Sequence, residues 1–223
     1  MKNMQKICYS FNVKSLLLRF IDYSHTSFSM FKIIFGKEKN KVVKTMKVLV
    51  AMDEFNGIIS SYQANRYVEE AVASQVEDAD IVQVPLFNGR HELLDSVFLW
   101  QSGNKYRVSA HDADMKETEA IYGQTDSGMT IIEGHLFLNG KKPIQHRSSY
   151  GLGEVIKAAL DNHTEHLVIS LGGIGSFDGG AGMLQALGAR FYDDEAQIVD
   201  MRKGADLIKY IRRIDLSGVH PQL

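Results

Sequence analysis

The segment Leu171-Gly172-Gly173-Ile174-Gly175-Ser176-Phe177-Asp178-Gly179-Gly180-Ala181-Gly182-Met183 joins residue types that attract anions to one that repels them. Glycines let the backbone reach positive φ and let a ligand come close. Successive N–H groups ahead of a helix N-terminus favour an anion, and the Ser176 hydroxyl adds a donor. Gly172, Gly173, Gly175, Ser176 and Gly179 are therefore candidate phosphate or substrate contacts. Asp178 is the exception. A carboxylate here repels phosphate unless it holds Mg²⁺ or takes a proton from an attacking hydroxyl, and both roles belong to phosphoryl transfer. Asp178 is thus a candidate catalytic acid/base and a candidate Mg²⁺ ligand. The plain alternative has Asp178 capping the next helix, with the glycines serving tight packing. Asp53 is the second candidate. It follows the apolar run Val48–Met52, and ligands of open α/β sheets bind beyond the carboxyl ends of strands. Its alternative is an ordinary turn.

The elements that would carry these residues can be read from periodicity. Val48 to Met52 suits a strand buried on both faces. Ser60 and Ser61 are candidate caps for a helix over 62–76, with Tyr67, Val68, Ala71, Val72 and Val76 at helical spacing. Ile81 to Leu86 reads as a strand and 91–100 as a second helix. This β–α–β–α order predicts a doubly wound sheet. The pattern changes near Gly103. Tyr106–Ala110, Thr118–Tyr122 and Met129–Glu133 read as a meander, with a turn at Asp126-Ser127-Gly128. A helix to Leu160, a strand over Leu167–Leu171, a helix over 180–187, a strand over Ala189–Tyr192 and a helical stretch over Ala205–Arg212 follow. The expected fold is α/β with two lobes: 46–102 in a doubly wound lobe and 103–223 in a mixed α/β lobe with the glycine-rich loop.

Composition narrows the classes. The 223 residues are 44% hydrophobic and 23% charged, as in an ordinary globular protein. The net charge of −2 is uneven. Residues 1–45 carry nine Lys/Arg and two acids, a net +7, which leaves −9 for the remainder. An acidic body argues against a nucleic-acid surface. Cys8 is the single cysteine, which suits a reducing cytoplasm. The apolar runs of the first 45 residues are short and broken by charge, far from the ~20 residues of a membrane span. We expect Met46 to open the globular domain, and 1–45 to be a basic leader outside the fold. A membrane-surface segment is the alternative for that leader. The histidines lack a zinc pattern, His163 and His166 read as surface residues, and Trp100 reads as core or lobe interface.

Three segments together resemble the bacterial glycerate kinases: Asp53-Glu54-Phe55-Asn56-Gly57, then Ser148-Ser149-Tyr150-Gly151-Leu152-Gly153-Glu154, then Gly172 to Met183. Arg213-Ile214-Asp215-Leu216-Ser217-Gly218 also fits, and order and spacing agree from Met46 to Leu223. The resemblance implies a flavodoxin-like lobe, here incomplete, beside a mixed α/β lobe, with the active site in the cleft. It implies ATP, Mg²⁺ and phosphoryl transfer to the hydroxyl of glycerate, a small-molecule substrate. Asp178 would be the catalytic or metal-binding acid, Asp53 would lie near substrate or phosphate, and Asn56, Ser148 and Ser149 would join the binding residues.

Departures from the family pattern qualify this. Asn56 stands where the family has lysine, which removes a charged hydrogen bond worth about 1.5–3 kcal/mol. Asn88 replaces an acid, and Arg90 and Glu92 replace glycines. Ile174 and Phe177 replace a serine and an asparagine. Family members also continue past residue 223, through a later glycine-rich stretch and the segments that complete the first lobe. The expectation is therefore a kinase that is incomplete or inactive as written. One alternative is a non-catalytic paralogue binding a small acid or a nucleotide. Another is a dinucleotide site on Gly173 and Gly175, with Asp193-Asp194 as the ribose acid. Asp178 at the third glycine position weighs against the dinucleotide.

Overall fold

The computed structural model describes residues 32–36, 46–55, 57–173 and 175–223. Expectations about the rest of 1–45, about Asn56 and about Ile174 lie outside these residues. The chain divides into two compact units, 1–87 and 88–223.

The first unit is a three-stranded sheet in the order β1 (Lys32–Gly36), β2 (Met46–Ala51), β3 (Ala79–Gln83), with helix α1 (Ser61–Ala73). β2 and β3 are parallel and joined through α1, the β–α–β order expected. Ser60 caps α1 in a capping box. Its Oγ accepts the Gln63 N–H and its own N–H donates to Gln63 Oε1. Val48, Val50 and Met52 bury against Ala64 and Val72. Asn65 is fully buried, and its side chain exchanges hydrogen bonds with both backbone groups of Met52 and donates to Ser61 O. β1 pairs antiparallel with β2. Part of the 1–45 stretch therefore joins this sheet, where the sequence reading left it outside.

The second unit is built on a sheet in the order β4 (Gly103–His111), β5 (Glu117–Thr125), β6 (Met129–Glu133), β7 (His166–Ser170). β4, β5 and β6 form the expected antiparallel meander, and β7 returns parallel to β6. The return passes through the short helix α3 (His135–Leu138) and helix α4 (Tyr150–Asp161). α4 buries Leu152, Val155, Ile156, Ala159 and Leu160 in the main core, with Ile132, Phe137 and Tyr122. Helix α5 (Ala181–Ala186), hairpin partners β8 (Arg190–Tyr192) and β9 (Arg213–Asp215), and two 3₁₀ turns complete the unit around Phe191 and Met201. The stretch expected to be helical over 205–212 is the 3₁₀ turn Ala205–Tyr210.

Two expectations are corrected. The helix expected over 91–100 is α2 (Leu93–Phe98), and it does not belong with the first sheet. Leu93 and Leu94 pack on Ile131 of β6, and Gly123 of β5 leaves the room that Leu94 and Phe98 occupy. The division therefore falls after Phe87 instead of after residue 102. Trp100 is 70% exposed, so it is not a core residue. It stands just beyond the end of α2, where the apolar contacts stop. Among the described residues no helix is long and apolar enough to cross a membrane.

Candidate functional site

Asp178 sits at the meeting point of two helix starts. It is 2% exposed. Its Oδ2 accepts the Ser149 N–H (2.7 Å), the Ser149 hydroxyl (2.9 Å) and the Gly182 N–H (3.1 Å), and its Oδ1 accepts the Gly180 N–H (3.1 Å). The Ser149 Oγ in turn accepts the Met183 N–H. One carboxylate thus binds the first turn of α4 to the first turn of α5. A buried charge requires such donors. The helix-capping alternative is realised in this geometry, and Oδ1, with one donor, is the oxygen that retains capacity for another partner.

The motif Ser148 to Glu154 has a packing reason at nearly every position. Ser148 is fully buried and its Oγ accepts the Tyr150 N–H. A Cβ at Gly151 would collide with the His111 carbonyl, so glycine lets α4 rest on the end of β4. A Cβ at Gly153 would collide with Met183 and Ala186, so glycine lets α4 meet α5. Glu154 accepts the His111 N–H at 2.9 Å and pairs with its Nδ1 at 2.9 Å. Gly182 is needed for the same junction, because a Cβ there would strike Ser148 Oγ and Asp178 Oδ2.

The glycine-rich loop after β7 is held from several sides. The Gly172 N–H donates to Gly89 O (2.7 Å) and the Gly175 N–H to Leu138 O (3.0 Å). Two of the backbone donors expected to face an anion are therefore already engaged. The Asn139 side chain donates to Gly173 O, and Arg147 Nη1 donates to Gly175 O, each at 2.9 Å. Gly173 and Gly179 have positive φ, as the loop requires. The hydroxyls of Ser170 and Ser176 are buried without a hydrogen-bond partner among the described residues. Such groups are rare in native structures.

Sequence reasoning missed Asp114, Asn139 and Arg147. Asp114 is buried, and its carboxylate accepts the N–H groups of Lys141 (2.7 Å) and Lys142 (3.0 Å). Burial alone would raise its pKa, but those two N–H groups with the Lys142 and Lys116 charges hold it below the usual value. Ser148 N–H donates to Ala113 O, so the Asp112–Lys116 turn fixes both ends of the segment that carries Arg147. The Asp-Ala-Asp run at 112–114 was the available signal, a turn signature ahead of a strand. Beside Tyr150 lies an open cavity of about 440 Å³ lined also by Gln185, Ile198, Asp200 and Arg202. Arg202 grips Asp200 through Nε and Nη2. Asp193, the acid of the dinucleotide reading, closes its own turn by accepting the N–H groups of Glu195 and Gln197.

Asp53 belongs to the other unit. It is half-buried just past the end of β2, and its Oδ1 accepts the Glu54 N–H at 2.7 Å. Among the described residues no three His, Cys, Asp or Glu side chains gather as a metal site.

The sequence profile of the glycerate kinase family matches residues 48–223. The chain belongs to the glycerate kinase family. It is 29% identical over 185 residues to glycerate kinase of Bacillus subtilis, covering 80% of this chain and 48% of that protein. It is 26% identical over 185 residues to glycerate 2-kinase of Escherichia coli, with the same coverage. The fold is similar to the crystal structure of a candidate glycerate kinase 2 from Salmonella typhimurium LT2. There the TM-score is 0.67 and the identity 27%, over 79% of this chain and 48% of that one. The chain spans about half the length of the curated glycerate kinases it matches.

Proposed function

We propose that this chain carries the glycerate-kinase half-site for phosphoryl transfer from ATP to the hydroxyl of glycerate, in the cytoplasm. The family match over 48–223 supports the reaction class, and the junction of Asp178, Ser149 and the glycine-rich loop is the observation that carries the site. In this reading the first unit is the beginning of a flavodoxin-like, doubly wound lobe and the second is the mixed α/β lobe. In the reaction the glycerate hydroxyl oxygen bonds to the γ-phosphorus, the bond from that phosphorus to the β,γ-bridging oxygen breaks, and ADP leaves. Asp178 Oδ1 would accept the hydroxyl proton. Ser149 and the Gly180 and Gly182 N–H groups would hold its carboxylate in place. Ser176 and Gly179 would be among the phosphate contacts.

Mg²⁺ fits this site only as an ion carried by the nucleotide phosphates, with Asp178 as a single protein ligand, the common arrangement for that ion. It would supply charge neutralisation at the phosphates. A second reading is a binding-only relative. It is favoured by the engagement of the Gly172 and Gly175 N–H groups and by the four donors already on Asp178.

ADP release from the purified chain with ATP, Mg²⁺ and D-glycerate decides between them, with Asp178→Asn as control. Glycerate-dependent release, lost by at least about a hundredfold in the variant, is expected of general acid/base work. A folded chain that binds ATP or glycerate without release would establish the binding-only reading.

A further inference from the structure

Two arginines, one of them at a position where the family motif has glycine, lie against the glycine-rich loop. A Cβ built on Gly173 would fall 2.5 Å from Arg90 Nε, with Arg90 Cγ and Cδ at 3.0 and 3.1 Å. A Cβ on Gly175 would fall 2.7 Å from Arg147 Nη1. Each glycine is thus the seat of one guanidinium. Neither arginine forms an ion pair among the described residues, whereas Lys105, Arg107, Lys157 and Arg202 do, with Asp95, Glu119, Asp161 and Asp200. Arg147 uses Nε on Lys142 O and Nη1 on Gly175 O, which fixes its plane and leaves further N–H donors. Arg90 is held by its backbone. Its N–H donates to Asn88 Oδ1, and the neighbouring Gly89 carbonyl takes the Gly172 N–H. The substitutions that break the family pattern at 88 and 90 therefore make a turn that delivers a cation to the loop. Ser176, in the same loop, adds a buried hydroxyl with no partner.

We propose that Arg90 and Arg147 are the oxyanion-binding pair of this loop, and that they take the phosphoryl oxygens of a nucleotide. The oxyanion chemistry stands on the geometry; its assignment to a nucleotide rests on the kinase reading. Guanidinium groups suit phosphate because their planar fork donates two parallel hydrogen bonds. The loss of one such charged contact is expected to weaken binding about tenfold or more. Arg90 thereby supplies positive charge in a chain that has asparagine at position 56.

The test is calorimetric titration of the full chain with inorganic triphosphate and, separately, with D-glycerate. It compares the wild type, Arg90→Gln and Arg147→Gln. Arg90 is exposed and its side chain makes no hydrogen bond among the described residues, so Arg90→Gln should melt with the wild type and isolates binding from folding. The expected result is triphosphate binding weakened about tenfold or more by Arg90→Gln and by any Arg147→Gln that remains folded, with glycerate unaffected. Equal triphosphate affinity in the wild type and Arg90→Gln would overturn the pair, as would no triphosphate binding to the wild type. Loss of glycerate binding in place of triphosphate would overturn the phosphate assignment and make the loop a carboxylate site. Triphosphate binding that depends on the arginines, in a chain that releases no ADP, upholds the pair while the turnover reading fails.

Discussion

At the scale of single residues, a buried carboxylate is tolerated when donors replace the water it has lost, and the second unit contains two such cases. Asp178 has its donors at the helix junction, and Asp114 has its own in the backbone of Lys141 and Lys142. A carboxylate in an anion-friendly loop drew attention to Asp178, but its partners could not be foreseen, because Ser149 lies 29 residues away in sequence. The partners of Asp114 were hidden for a related reason: they lie 27 and 28 residues on and are main-chain groups of no particular residue type. Its lowered pKa fixes the sign of a prediction. A group whose folded pKa is depressed contributes stability above the unfolded value, here 3.8, and that stability is lost as pH falls through the folded value. Asp114→Asn should therefore destabilise the chain by about 1–3 kcal/mol at pH 7, the cost of losing a charged acceptor for the two backbone N–H groups. The gap to the wild type should narrow below pH 3.8. Urea midpoints across that range measure it, and a gap that does not depend on pH would remove the charge from the explanation.

At the scale of elements, strands and helices with a clear period were legible and their partners were not. The βαβ start, the meander and helix α4 all follow from apolar spacing. α2 was legible as a helix, yet its assignment to a sheet depended on Gly123, whose missing side chain admits Leu94 and Phe98. α2 also lacks an ordinary cap. Glu92 at its N-cap has φ 68° and makes no side-chain cap. Glu133, at the end of β6, receives the Leu94 N–H instead. Burial raises the pKa of Glu133 and Asp95 adds to that. The Leu94 and Leu93 N–H groups and His91 oppose the rise without cancelling it. A raised carboxyl pKa works opposite to Asp114. The native state holds the proton more tightly, so this contribution is full below about pH 4.5 and lost as pH rises through the folded value. Glu133→Gln keeps a carbonyl acceptor for α2 and removes the buried charge. Its urea midpoint should exceed that of the wild type at pH 7 and match it at pH 4. A lower midpoint at pH 7 would show that attraction of the charge to the helix N-terminus outweighs its desolvation.

At the scale of the whole molecule, the apolar clusters are unequally divided. Among the described residues the first unit's cluster is five buried residues, Val48, Val50, Met52, Ala64 and Val72. The second buries twelve around Val155 and Ile132, and it has separate clusters at Phe191 and at Ile131. In the first unit Val82 and Val84 are 47% and 38% exposed, so the β3 side of that sheet leaves apolar surface in water. Small domains bury too little surface to offset chain entropy. Every hydrogen bond described for Asp178, Ser149, Asn139 and Arg147 also lies within 88–223. Residues 88–223 expressed alone should therefore fold cooperatively, with a urea slope of about 1–3 kcal/mol per molar as for other small domains. Residues 46–87 alone, with β1 removed from the sheet, should show no cooperative transition. Circular dichroism during urea titration reads both. The isolated second unit should also bind triphosphate as the full chain does, because the arginine pair and its supports lie inside it. A non-cooperative 88–223 fragment would mean that its three clusters do not suffice, and that the first unit contributes to the folding of the loop it does not contain.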